Sequence, residues 1–189
     1  GIKRNDKVLQ AFSMFIKKTK FESPLLVLFE YGNDIDDTKA LVKTLEIENY
    51  VKWMPITNRK NIMYGLAKAS LATNAFRENM SDIGGVCYES FACGVPVINN
   101  CVDVINDPRH KFFNSPMIHA LSEDDILNIF IDYESDKKKY IKIGEISKKW
   151  FDENLGVGLA KKYIKLMNVL SSDYNLTQND KEVKDILCN

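Results

Sequence analysis

The sequence has no surplus charge of either sign: 26 basic and 26 acidic residues balance. A chain that gripped nucleic acid or an anionic lipid surface through bulk charge would carry a basic excess, so neither footprint is present. Long apolar runs are missing too. The longest is Leu25–Phe29, far short of the ~20 residues that cross a bilayer, and no signal-peptide pattern opens the chain. Cysteines are few: Cys87, Cys93, Cys101 and Cys188 form no CxxC pair, and the only histidines, His110 and His119, are not spaced beside them as metal ligands. No metal site is expected. Cys87 and Cys93 fall in an apolar helical stretch, where a thiol behaves as a small hydrophobe, and the cysteine usage implies a reducing, cytoplasmic setting. There is no internal repeat and no low-complexity segment. No G-x-G-x-x-G follows a strand, which argues against a dinucleotide-binding domain.

What is present is ordinary globular composition, 45% hydrophobic and 28% charged over 189 residues, enough for one good core. The pattern alternates. Lys3–Lys20 has apolar residues at helical spacing (Val8, Leu9, Phe12, Phe15, Ile16), with Asn5 or Asp6 available to cap it. Pro24–Glu30 is an apolar run that predicts a buried strand, followed by the Gly32 turn. Asp36–Leu45 predicts a helix with aspartate caps, and Tyr50–Met54 a strand stopped by Pro55. Thr57 is placed to cap a helix reaching Ser70, with Ile62, Leu66 and Ala67 inward, and Leu71–Ala75 is a further strand. Such alternation predicts an α/β fold, a Rossmann-like parallel sheet with helices on both faces. Ligands of such folds bind beyond the carboxyl ends of the strands. The Gly32 loop, the Met54-Pro55 loop and the Ser81–Gly85 loop should therefore converge on one crevice. Asn99–Phe113 is polar and irregular, Met117–Leu121 reads as an edge strand, and Ser122 caps a helix reaching about Tyr133. Asp136–Asn154 and Leu159–Leu170 predict a helical C-terminal end, broken at Gly156 or Gly158. The domain is expected to span residues 1–170, with 171–189 a polar tail or loose helix.

The stretch around which the chain is organised is Ser81–Asn99, SDIGGVCYESFACGVPVIN. Gly84-Gly85 opens a helix of about two turns, Gly94 stops it, and Val95–Ile98 follows as a strand. Glycines let a ligand approach the backbone, and the free N–H groups of a new helix suit phosphate. Glu89 lies too deep in that helix to be a cap. Glu89-x-Phe91-Ala92-Cys93-Gly94-x-Pro96-Val97-Ile98 resembles the E-A-(M/F)-A-C-G-x-P-V-I signature of the group 1 (family 4) glycosyltransferases, retaining enzymes of the GT-B fold. Lys3-Arg4-x-Asp6-x-x-Leu9-x-Ala11-Phe12 resembles their K-G-x-d-x-L-x-x-A-f motif.

The likeness runs from Lys3 to about Leu170 and covers only the C-terminal, donor-binding half of such an enzyme. It implies a nucleoside diphosphate sugar as donor, with no cofactor and no metal. Lys3, or Arg4 where the family has glycine, would contact the diphosphate together with the Gly84, Gly85 and Val86 amides. Glu89 would grip the ribose, and Gly32, Met54 and Pro55 would lie in the loops near the base. The family's additional acid, eight residues before Glu89, is replaced by Ser81, with Asp82 beside it; either residue would orient the sugar. Two further departures stand out. The acceptor-binding half is absent, and any membrane contact of a full-length, peripheral enzyme would be made through that half. The strand that precedes the Lys3 helix in the family, central in an order 3-2-1-4-5-6, is absent too, so a truncated chain or one completed by a partner is expected. The readings left open are a hexosyltransferase part inactive in isolation, a nucleotide-binding or regulatory module, and the donor subunit of a two-chain enzyme.

Overall fold

The computed structural model describes residues 3–19, 23–78, 83–110 and 112–171. The predicted tail at 171–189, Ser81 and Asp82 fall outside the described residues, apart from the backbone of residue 171. The elements run α1 (Asn5–Lys18), β1 (Leu26–Phe29), α2 (Ile35–Thr44), a short 3-10 turn at Glu48–Tyr50, β2 (Val51–Met54), α3 (Arg59–Leu66), β3 (Ala72–Thr73), α4 (Gly85–Cys93), β4 (Val97–Asn99), α5 (Val102–Asn106), β5 (Ile118–His119), α6 (Glu123–Ser135), α7 (Lys137–Asn154) and α8 (Val157–Ser171). Every strand pair is parallel, and the chain is an α/β fold with a helical end, as its alternation predicts.

The core is built around β4. Its residues alternate between two buried faces, and no side chain of the strand reaches water. Val97 turns toward Ala72, Cys87, Phe91 and Val104 on one face. Ile98 turns toward Leu9, Phe12, Phe76 and Ile126 on the other. Each fully buried side chain of this size contributes about 1.5–3 kcal/mol, and the two-sided burial requires helices above and below the sheet. Those helices are α1 and α6 on the Ile98 side and α4 and α7 on the Val97 side.

The described strands form two sheets, β1-β2 and β3-β4-β5. The break falls between β1 and β3, the two strands that an order 3-2-1-4-5-6 separates by its first. Just beyond β3 the Phe76 N–H donates to the Lys3 carbonyl at 3.3 Å, so the chain entering α1 lies alongside that edge.

Local corrections have local causes. β1 is not a buried strand: its burial alternates, and Val27 and Phe29 are 45% and 40% exposed. An apolar run shows what a strand can bury but not whether its second face is covered. Arg4, not Asn5 or Asp6, is the α1 N-cap, at φ 56°, because the Asp6 carboxylate is engaged by the Arg4 guanidinium. No aspartate side chain caps α2: Asp34 holds the N-cap position, but its side chain makes no capping bond to the helix. Asn58 takes the cap expected of Thr57, accepting from the Asn61 N–H at 3.0 Å. Helix α3 stops at Leu66, which leaves Ala67 exposed. Helix α5 occupies part of the span read as irregular; one and a half turns are too short to display a period.

The α6 start follows its sequence signal. Ser122 Oγ accepts from the Asp125 N–H at 3.1 Å, and Asp125 Oδ2 accepts from the Ser122 and Leu121 N–H groups at 2.9 and 3.1 Å. The reciprocal bonds satisfy helix-end donors that have no partner within the helix. Chiefly through the Ser122 N–H, they hold the Asp125 carboxyl below its usual range. Ser122→Ala is expected to lose about 1 kcal/mol of stability. A depressed folded pKa contributes stability above the unfolded value, about 3.9, and loses it as pH falls through the folded value. The advantage of wild type over Asp125→Asn should therefore be present at neutral pH and close in strong acid; paired urea melts at the two pH values check this.

Candidate functional site

The carboxyl ends of β3 and β4 carry buried polar side chains. Helix α4 starts there. Gly84 is its N-cap, with φ −81° and no side chain to cap the helix, and Gly94 closes it in the left-handed region at φ 71°. The Cys87 N–H turns back to the Gly84 carbonyl at 2.9 Å. The amides of Gly85 and Val86 belong to the first turn, where N–H groups find no acceptor within the helix. Their dipoles make this end attractive to an anion.

Lys3 arrives at the same place from the start of α1. A Cβ built on Gly84 would stand 3.3 Å from Lys3 Nζ and 2.9 Å from Asn74 Oδ1. The ammonium donates to that same Asn74 oxygen. A cation and the amino end of a helix thus share one spot, and Gly84 leaves the room for it. Arg4 is turned elsewhere. Its Nη2 lies 2.9 Å from Asp6 Oδ2. The hydrogen bond raises the arginine pKa and lowers that of the aspartate. Of the two cations left open by the sequence, Lys3 is the one beside Gly84.

Glu89 lies one helical turn further along α4. Its side chain is 16% exposed, and Oε1 sits 3.2 Å from Nε of Arg59, which is 75% exposed. Arg59 is the first residue of α3, directly after the loop holding Pro55. The pair joins Glu89 to the Met54-Pro55 loop. Gly32 belongs to the adjoining loop: the Glu30 N–H donates to the Met54 carbonyl at 2.8 Å, which ties the two loops at their base. Gly32 itself has φ 109°, and a Cβ there would meet nothing within 4 Å. Lys3, Gly84, Gly85, Val86 and Glu89 therefore cluster around α4, Arg59 links them to Met54 and Pro55, and Gly32 stands at the far side.

Several polar residues here escaped the sequence reading. Asn74, Asn99 and Asn100 are buried at the ends of β3 and β4. Lys7 is buried as well; its ammonium donates to the Leu121 carbonyl at 2.7 Å and lies 3.8 Å from Glu78 Oε1. A signal existed, since asparagines just past apolar strands stand where α/β folds place ligands. The histidines have structural posts. His119 Nδ1 accepts from the Cys101 N–H at 3.2 Å, and His110 Nδ1 from the Phe112 N–H at 3.1 Å. Burial pushes the Cys101 thiol up to about 12, which makes it inert as a nucleophile. Among the described residues no helix is long and apolar enough to cross a membrane.

No protein-family model matches the sequence, and no curated protein matches it. Solved structures do match. Anabaena HepE in complex with UDP-glucose superposes with a TM-score of 0.67 at 16% identity, over 90% of this chain and 46% of HepE. A variant of S. aureus TarM in a complex that includes UDP gives 0.65 at 15%, over 89% and 33%. The pneumococcal O-GlcNAc transferase GtfA in complex with UDP and GlcNAc gives 0.62 at 13%, over 90% and 34%. The chain spans between a third and just under half of the length of these proteins. At such identities the likeness establishes architecture, and that architecture, parallel strands covered by helices with a helical C-terminal end, is one the GT-B glycosyltransferases contain.

Proposed function

We propose that the chain is the donor-binding half of a retaining glycosyltransferase of the group 1 kind. It takes a nucleoside diphosphate sugar, and the acceptor comes on a half that lies outside this sequence. The observation that carries the reading is the meeting of the Lys3 ammonium with the amino end of α4 at Gly84. A diphosphate leaving group gains negative charge as the sugar departs, and fixed donors aimed at that charge lower the barrier. In this reading Lys3 and the Gly85 and Val86 amides supply those donors, so no metal ion is required. Glu89 accepts from the two ribose hydroxyls. Ser81 or Asp82 orients the sugar. The Gly32 and Met54-Pro55 loops face the base. A strand between β1 and β3 completes the sheet in the working enzyme. The chain by itself binds donor and transfers little or nothing.

Thermal shift against UDP, GDP, ADP and CMP, with and without magnesium, tests this. A ligand at a hundred times its Kd adds about 2.7 kcal/mol, a rise of roughly 5–10 °C for a domain of this size. UDP is the expected ligand, since three structural neighbours hold it or UDP-glucose, and the shift should not depend on magnesium. Absence of a shift with all four nucleotides would remove the donor reading.

A further inference from the structure

Three buried asparagines stand at the ends of β3 and β4, and the donor reading assigns none of them a role. Asn74 is 5% exposed, Asn99 0% and Asn100 1%. A buried carboxamide is costly unless its donors and acceptors are matched. Which end is oxygen and which nitrogen follows from the hydrogen-bond network, and here one backbone group decides it. The Ala75 N–H can only donate, and it donates to Asn99 Oδ1 at 3.1 Å. Asn99 therefore turns its oxygen toward β3, while its Nδ2 donates to the Asn100 carbonyl at 2.9 Å. The same Asn99 oxygen accepts from Asn74 Nδ2 at 3.0 Å. With its nitrogen engaged, Asn74 presents Oδ1 to the Lys3 ammonium, next to Gly84.

We propose that Asn99 and Asn74 form a positioning relay that aims the Lys3 ammonium at the amino end of α4 and so sets the affinity of the crevice for a nucleoside diphosphate. The relay rests on the donor-site reading above. In this relay the two asparagines are positioning residues that act through Lys3. The chemistry suits amides. A lysine side chain has four rotatable bonds, and holding its end in place before the ligand arrives lowers the cost of binding. A neutral oxygen holds the ammonium without cancelling its charge, which a carboxylate would do. Asn99 cannot reverse without setting its NH2 against the Ala75 N–H, so the orientation of Asn74 is held from behind.

Calorimetric titration of UDP and of uridine into the chain tests the relay, because a loss of general structure lowers both affinities and a misplaced Lys3 lowers only the first. Asn74→Ala is expected to weaken UDP about tenfold and leave uridine unchanged. Asn74→Ser keeps a hydroxyl that can accept from Lys3 and serves if the alanine variant does not fold; it should weaken UDP less than alanine does and leave uridine unchanged. Asn74→Asp gains an ion pair with Lys3 but sets a carboxylate oxygen against Asn99 Oδ1, and should weaken UDP further by cancelling the cation. In a Lys3→Met background Asn74→Ala should cost little more, since the two residues act as one unit. Asn74 variants with the wild-type ratio of UDP to uridine affinity, or losses that simply add to that of Lys3→Met, would overturn the relay while leaving the donor reading intact. A wild-type chain that binds no nucleoside diphosphate overturns both.

Discussion

Glu89→Ala is expected to lower the affinity for UDP by about ten- to a hundredfold, on the basis that hydrogen bonds to a charged group contribute about 1.5–3 kcal/mol. A carboxylate is acceptor-only, with room for two hydroxyl donors at once, and a ribose presents two neighbouring hydroxyls. Glu89 is suited to that task by its burial, at 16% exposure, and by its place on a helix whose ends are fixed by Gly84 and Gly94. Its partner before the ligand arrives is Arg59. That pair lies at 3.2 Å, but Arg59 is 75% exposed, and an ion pair open to water contributes at most about 1 kcal/mol. Arg59 thus yields to a ligand at small cost, and Arg59→Ala should change UDP affinity only a few-fold, on the same ~1 kcal/mol scale. Glu89→Gln keeps one acceptor without the charge and should fall between. The decisive comparison is UDP against 2′-deoxy-UDP. Wild type should prefer UDP, and Glu89→Ala should lose the preference. A variant that still discriminates between them would place the ribose elsewhere.

What the sequence made legible were features whose cause is local. The α4 boundaries could be read because glycine at both ends leaves little alternative: Gly94 needs φ 71°, which other residues resist. The α6 start was legible in Ser122 and the acids after it. The closeness of Lys3 to Gly84 was anticipated only through the resemblance of two motifs 81 positions apart, since nothing in either stretch points to the other.

The parts that were not legible are those in which the partner is distant and the residue type is common. Asparagine past a strand reads as a turn residue, yet Asn74 and Asn99 bond across 25 positions inside the molecule. Arg59 looks like a solvated residue at a helix start, and its meeting with Glu89 depends on how α3 packs on α4. The open face of β1 has the same origin. Val27 and Phe29 are as apolar as Leu26 and Leu28, and only the tertiary arrangement decides which pair is covered. The split between β1 and β3 was foreseeable only through the resemblance, whose strand order has one position that none of the five described strands occupies.

Gly144→Ala should destabilise the chain by about 2 kcal/mol or more, a fall of roughly 4–8 °C in Tm. A Cβ on Gly144 would stand 2.1 Å from the Gly94 carbonyl oxygen, 3.1 Å from its carbon and 3.4 Å from Pro96 Cδ. Two of those atoms are backbone, so no rotamer change relieves the clash; α4 and α7 must move apart. Neighbouring contacts resist the movement: the Phe91 and Trp150 rings meet edge-on at 5.4 Å, and the Lys148 ammonium donates to the Ala92 carbonyl at 3.3 Å. Alanine is the better helix former by about 1 kcal/mol, and that gain is too small to offset the overlap. Gly65→Ala is the matched control. It also lies in a helix, but a Cβ there meets nothing within 4 Å, so the propensity gain should appear unopposed and raise Tm slightly. The consequence reaches the site, because the contact that Gly144 permits seats the carboxyl end of the helix whose amino end meets Lys3. Folded Gly144→Ala should accordingly bind UDP more weakly than wild type and uridine less affected, while Gly65→Ala binds both as wild type does. A Gly144→Ala variant that melts higher than wild type would mean that the α4–α7 crossing is loose, and that something other than α7 sets the direction of α4.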